Sequence, residues 1–240
     1  MTAAFLAFAL IFFLATTTQT IVGFGSVIIA LTLGAQLYSV HTLLAWLVPV
    51  NLSLSGYIVL RYHRQVAWPL LLRRILPPML AGLALGQVLF YTLHAHWLKT
   101  LLGALVVVLA LEALVSSSRE SRRGPGRITP WTFAAGVIHG LFAAGGPLLV
   151  YGVSRQPLDK GGFRSTLAVV WLSLGAILTV SYAVGGTLTF ARLPQLAVLL
   201  AILPVAIAVG ERLHHRVEEA LFRRLLFVVL LFAGVALMLR

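Results

Sequence analysis

The segment from Gly136 to Val150 reads Gly-Val-Ile-His-Gly-Leu-Phe-Ala-Ala-Gly-Gly-Pro-Leu-Leu-Val, and no other stretch restricts the fold as strongly. Its side chains suit a lipid bilayer, yet it carries four glycines, a proline and a histidine. An uninterrupted helix fits it poorly. Gly145 and Gly146 strip side-chain cover from the backbone, and Pro147 removes one N–H donor. In hydrocarbon, broken backbone persists only where it is buried in protein or lines a wet cavity. A weaker copy stands near the N-terminus: Thr18-Gln19-Thr20-Ile21-Val22-Gly23-Phe24-Gly25-Ser26. The remainder of the chain is expected to be scaffolding around these two breaks.

Composition settles the solvent. The 240 residues are 60% hydrophobic and only 10% charged, so apolar character is not confined to one anchor. Mean hydropathy is +1.00 over the whole length. The chain is therefore an all-α polytopic membrane protein. A barrel would instead show short segments of alternating hydrophobicity. Eighteen Lys and Arg against six Asp and Glu give a formal charge of +12. These cations cluster between apolar stretches, as in cytoplasmic loops, so no nucleic-acid partner is implied. The same surplus suits a small anionic substrate. Cysteine is absent, which excludes disulfides, thiolate catalysis and Cys-ligated metal. No Lys or Arg precedes Arg61, so the basic n-region of a cleaved signal peptide is not expected.

Along the chain, residues 1–115 hold a broken apolar stretch (Ala3 to Ala35) and three that can each cross a ~30 Å core. Residues 116–130 form a polar, basic linker. Residues 131–240 then repeat the layout, beginning with the glycine break. If all eight stretches cross once, Lys and Arg divide 10 against 8, which is no bias. If Trp131 to Val153 is instead a hairpin turning at Gly145-Gly146, one side keeps only Lys99, Arg192 and Arg240, with fifteen opposite. That asymmetry is what the positive-inside rule expects. By analogy Ala3 to Ala35 is also a hairpin. Each half then has a glycine-broken hairpin plus three transmembrane helices, and the two structural repeats are inverted within one membrane domain. The basic loops and the linker are expected to be cytoplasmic, in a multi-pass protein of the inner or plasma membrane.

Gly-x-x-x-Gly-Leu-x-x-x-Gly-Gly-Pro at Gly136 to Pro147, followed by Asp159-Lys160-Gly161-Gly162-Phe163-Arg164-Ser165-Thr166-Leu167, resembles the second-half signature of the TauE/SafE family of sulfite exporter-like permeases. Gly23-Phe24-Gly25 and the span after it resemble the first-half signature less completely, with Ser26 where a further glycine would stand. The resemblance implies transport of sulfite, organosulfonates or related small anions without ATP hydrolysis.

The residues themselves lead to a compatible mechanism. A helix that starts after a glycine break presents free N–H groups and the positive end of its dipole. Two such ends at membrane depth would hold an anion, with alternating access around them. The candidate substrate-binding residues are Gln19, Gly23, Phe24, Gly25, Asn51, Ser53, His139, Gly145, Gly146, Pro147, Arg164 and Thr166. His139 has the chemistry either to bind the anion or to carry a coupled proton, and a neutral histidine bonded between helices is the competing role. Arg164 has the fork geometry that suits a sulfonate, set against an arginine snorkelling to the interface. The glycines also fit close helix packing.

No cofactor, metal site or catalytic residue is expected. Ser53-Leu54-Ser55-Gly56 with His139 could be drawn as a dyad of an intramembrane hydrolase, but Gly-x-Ser-x-Gly, His-Glu-x-x-His and the P-loop are all missing. A non-transporting structural subunit would not need two matched breaks.

Overall fold

The computed structural model describes residues 2–22, 25–115, 128–153, 156–214 and 219–239. Gly23, Phe24 and most of the 116–130 linker lie outside the described residues. Every regular element described is helical, in agreement with the all-α expectation. The order is α1 (Ala3–Val22), α2 (Ser26–Gly34), α3 (Val40–Tyr62), a 3-10 turn at His63–Gln65, and the short α4 (Trp68–Leu70). A π turn at Leu71–Ile75 joins α4 to α5 (Leu76–Thr92), which is followed by α6 (Ala95–Val115). The second half holds α7 (Thr129–Phe142), α8 (Gly146–Val153), α9 (Lys160–Val184), a 3-10 turn at Phe190–Arg192, α10 (Leu193–His214) and α11 (Glu219–Met238). Among the described residues, six helical stretches are long and apolar enough to cross a membrane, and α11 adds a shorter apolar run at Leu226–Met238.

The chain divides into two compact units, one of Met1–Trp46, His94–Arg119 and Thr189–Arg240, the other of Leu47–Leu93 and Glu120–Leu188. In the first unit, α1 turns Phe5, Phe8, Phe12 and Ala15 inward while Leu6, Leu10 and Leu14 are exposed. Both faces are apolar, as expected of a helix that meets protein on one side and lipid on the other. The ring of Trp46 gathers Phe5 (5.5 Å), Phe8 (5.5 Å) and Tyr38 (5.1 Å). Gly34, at the end of α2, lies against Phe8 near the start of α1. At the other end, Ser26 opens α2 beside Gln19 of α1. α2 therefore runs back along α1, and Ala3 to Ala35 is a hairpin, although α1 alone is long enough to span. Also in this unit, the Thr17 hydroxyl of α1 donates to Ala206 O of α10 (3.3 Å), and α6 meets α11 where Gly103 faces Gly234.

In the second unit, α5 and α7 cross through two interlocked glycine pairs, Gly82-x-x-x-Gly86 and Gly136-x-x-x-Gly140. A Cβ on Gly86 would stand 2.9 Å from Gly140 Cα, and a Cβ on Gly140 would stand 2.9 Å from Gly86 Cα. Lipid provides no hydrophobic drive between helices, so close backbone approach and dispersion must hold such a pair. Gly136 and Gly140 are thus packing residues. The broken backbone belongs to Gly145 and Gly146, further along the same segment.

Candidate functional site

α7 ends at Phe142 because Ala143 adopts a left-handed conformation (φ 52°), the only non-glycine residue described with positive φ. Its N–H closes on His139 O at 2.8 Å. Ala144 and Gly145 make the turn, and α8 starts at Gly146. Gly145 lies so close to Ala135 and His139 of α7 that its missing Cβ would stand 3.0 Å from His139 Cβ. Seven residues later the pair is still in contact. A Cβ on Gly152 would be 3.1 Å from Trp131 Cβ, and the rings of Trp131 and Tyr151 meet edge-on at 4.5 Å. α8 therefore runs back along α7 as the charge count required. The turn falls at Ala143–Gly145, slightly ahead of the expected Gly145-Gly146.

The start of α8 is chemically open. Leu149 is the first residue whose N–H closes a helical bond, onto Gly145 O at 3.1 Å. Ahead of it, the N–H groups of Gly146 and Leu148 have no acceptor within the helix, and Pro147 has no N–H. His139 stands beside this end, 95% buried at 5% relative exposure. Its ring stacks on Trp171 of α9 (5.1 Å between centroids, 25° between planes). Trp171 also reaches Gly146, with Cζ2 4.0 Å from where a Cβ would be. Neither Nδ1 nor Nε2 of His139 has a hydrogen-bond partner among the described residues. Thr32, Trp46 and Tyr182 each leave one buried polar atom in that condition, but His139 leaves two and does so beside a helix start. With its nitrogens unbonded, His139 forms no hydrogen-bonded dyad with Ser53 or Ser55.

The first break has the same layout with a different outcome. Gly25 is left-handed (φ 102°) and precedes Ser26, the first residue of α2. Gln19 lies seven positions before Ser26, as His139 does before Gly146, and its Oε1 accepts the Ser26 N–H at 3.0 Å. A side chain of α1 thus already caps α2.

The remaining candidates fall at the ends and faces of α3 and α9. Asn51 is half-buried and Ser53 exposed on α3. Arg164 is exposed, with its guanidinium 5.8 Å from the centre of the Tyr62 ring. Thr166 is fully buried, and its Oγ1 accepts the Ala67 N–H at 2.9 Å. Around it the Asp-Lys-Gly-Gly signature acts as a clasp. Asp159 caps α9 by accepting the Gly162 N–H (3.1 Å), and Gly161 and Gly162 admit Gln65 from the turn after α3. Sequence reasoning missed a second polar bridge in the unit. The Gln87 amide of α5 donates to Gly140 O (2.6 Å), its Oε1 accepts from Ser181 Oγ (2.6 Å), and the Tyr91 hydroxyl donates to Ser181 O (2.8 Å). The signal was available as lone polar residues inside apolar spans, which in lipid almost always face protein.

Apolar spans and a doubled-back helix pair with a buried polar break are those of a multi-pass membrane protein, and the break is of the kind that transporters use. The family profile described as "Sulfite exporter TauE/SafE" matches residues 8–237, and the chain belongs to that family of membrane transporters; it is not an enzyme. It is 28% identical over 227 residues to the "Probable sulfite/organosulfonate exporter TauE" of Cupriavidus necator, covering 92% of this chain and 88% of that one. It is 27% identical over 180 residues to the "Probable inner membrane transporter protein TsaS" of Comamonas testosteroni, covering 72% and 73%. No solved structure matches the chain.

Proposed function

We propose that the protein is a secondary permease for small sulfur-containing anions, sulfite or organosulfonates, with small carboxylates as the chemically nearest alternatives. The single observation that carries this is the open start of α8 beside the buried, unbonded His139. A helix N-terminus favours an anion through unsatisfied N–H groups and a dipole worth about half a unit charge. The family membership and the names of both relatives point to the same substrate class.

Transport is assigned to alternating access, in which the helix breaks are the elements that change exposure and His139 is the candidate for a coupled proton. The doubled-back α1–α2 and α7–α8 pairs support inverted halves, because a hairpin at the start of each half leaves three spans to reverse its direction. They also support the charge distribution in which fifteen basic residues face the cytoplasm of an inner-membrane protein. Thr166 is assigned to holding the start of α9, since its hydroxyl is already bonded.

The test is uptake of labelled sulfite and methanesulfonate by proteoliposomes. Saturable flux above that of empty vesicles, retained in Ser55→Ala, is the expected result. Absence of flux for every sulfur oxyanion and carboxylate tried overturns the proposal.

A further inference from the structure

The two breaks are built to one plan, and the difference between them is local. Each starts a returning helix, Ser26 in one case and Gly146 in the other, and each has a polar side chain seven positions earlier on the preceding helix. In the first unit that side chain is Gln19, and its Oε1 occupies the helix start. In the second unit it is His139, which is 95% buried, stacked on Trp171, and bonded to nothing described. Burying two ring nitrogens without partners costs free energy that a structural histidine would recover by a hydrogen bond.

We infer that the breaks are not equivalent, and that the second alone holds the substrate, as a singly charged oxyanion headgroup set between the Gly146 and Leu148 N–H groups and the His139 ring. This rests on the transporter function proposed above and adds where the anion sits and what charge it carries. One oxygen accepts from the helix start and another from the imidazole N–H, so the ligand needs at least two acceptor atoms on one centre, as a sulfonate or carboxylate has. The indole of Trp171 walls one side of the imidazole. Charge compensation is small. The described arginines of this unit, Arg61, Arg64, Arg73, Arg74 and Arg164, are all exposed, whereas His139 is buried. A helix start supplies about half a positive charge, which matches a monoanion and leaves a dianion largely uncompensated.

The test introduces the cap of the first break into the second. In His139→Gln, the new amide oxygen is in the register from which Gln19 reaches Ser26, and it should take the Gly146 N–H. Thermal unfolding of purified protein is followed with methanesulfonate, with sulfate, and with neither. Wild type is expected to gain stability with methanesulfonate and to bind sulfate at least tenfold more weakly. His139→Gln is expected to melt higher without ligand and to show no response to methanesulfonate. Gly146→Pro removes the N–H at a position where proline suits the start of a helix, and should weaken methanesulfonate binding at least tenfold. It decides the matter if the His139 variant is not monodisperse. A wild-type response retained in the variants, or equal affinity for sulfate, overturns the inference. If the wild type carries methanesulfonate in proteoliposomes while the variants bind it unchanged, transport stands and the site fails. If the wild type neither responds nor transports, both fail.

Discussion

Gln19 Oε1 accepts the Ser26 N–H at 3.0 Å across the first break, whereas His139, at the same interval before Gly146, makes no hydrogen bond. One residue type therefore separates a helix whose first N–H is capped from one whose first N–H is free. The capped start makes a prediction about folding. Gln19→Ala leaves the first N–H of α2 without its acceptor and should cost about 1 kcal/mol, the usual value of a lost helix cap. In a protein of this size that is a fall of roughly 2–4 °C in thermal midpoint, measurable by unfolding in detergent.

The α5–α7 crossing is expected to be intolerant of even one methyl group. Gly86→Ala and Gly140→Ala each direct a Cβ at facing backbone, which cannot rotate aside as a side chain can. Each should lower stability by about 1–3 kcal/mol. An unchanged midpoint for both would mean that the helices do not approach as closely as the glycine pairs require.

The Gln87–Ser181 hydrogen bond, 2.6 Å long, should be measurable as a coupling energy. A double-mutant cycle with Gln87→Leu and Ser181→Ala is expected to give between about 0.6 and 1.7 kcal/mol, the mean and the maximum found for polar contacts between helices in lipid. Additive effects would show that the two side chains act separately.

The clasp at the start of α9 separates Thr166 from its neighbour Arg164. Thr166→Val strands the Ala67 N–H and should cost about 1 kcal/mol or more. Arg164→Ala, at an exposed position, should change stability by no more than about 0.5 kcal/mol. Unfolding midpoints measured side by side check both, and equal losses would contradict the clasp.

Much of this was legible in the sequence because lipid makes local rules strict. Gly145 and Gly146 beside Pro147 announced broken backbone, and the count of Lys and Arg turned that break into a hairpin without any knowledge of packing. The hairpin is present, with Gly145 against Ala135 and Gly152 against Trp131. The division of labour within one segment was not legible. Gly136, Gly140, Gly145 and Gly146 look alike in sequence, and only the arrival of Gly82 and Gly86 from α5 distinguishes packing from turning. Nor could the Gly161-Gly162 pair be identified as the seat of Gln65, since that contact joins positions about a hundred residues apart.

By itself the sequence determined the solvent, the helical class, the places where helices break and the doubling back of the broken pair. Each follows from the cost of leaving a backbone group or a charge in hydrocarbon, a cost paid residue by residue along the chain. Tertiary structure alone decided which polar side chain is satisfied. Gln19 and His139 are equally polar and equally placed, yet one reaches an N–H and the other lies stacked on Trp171 with both nitrogens unbonded. A hydrogen bond depends on distance and direction between two groups in space, and neither quantity is written in the order of residues.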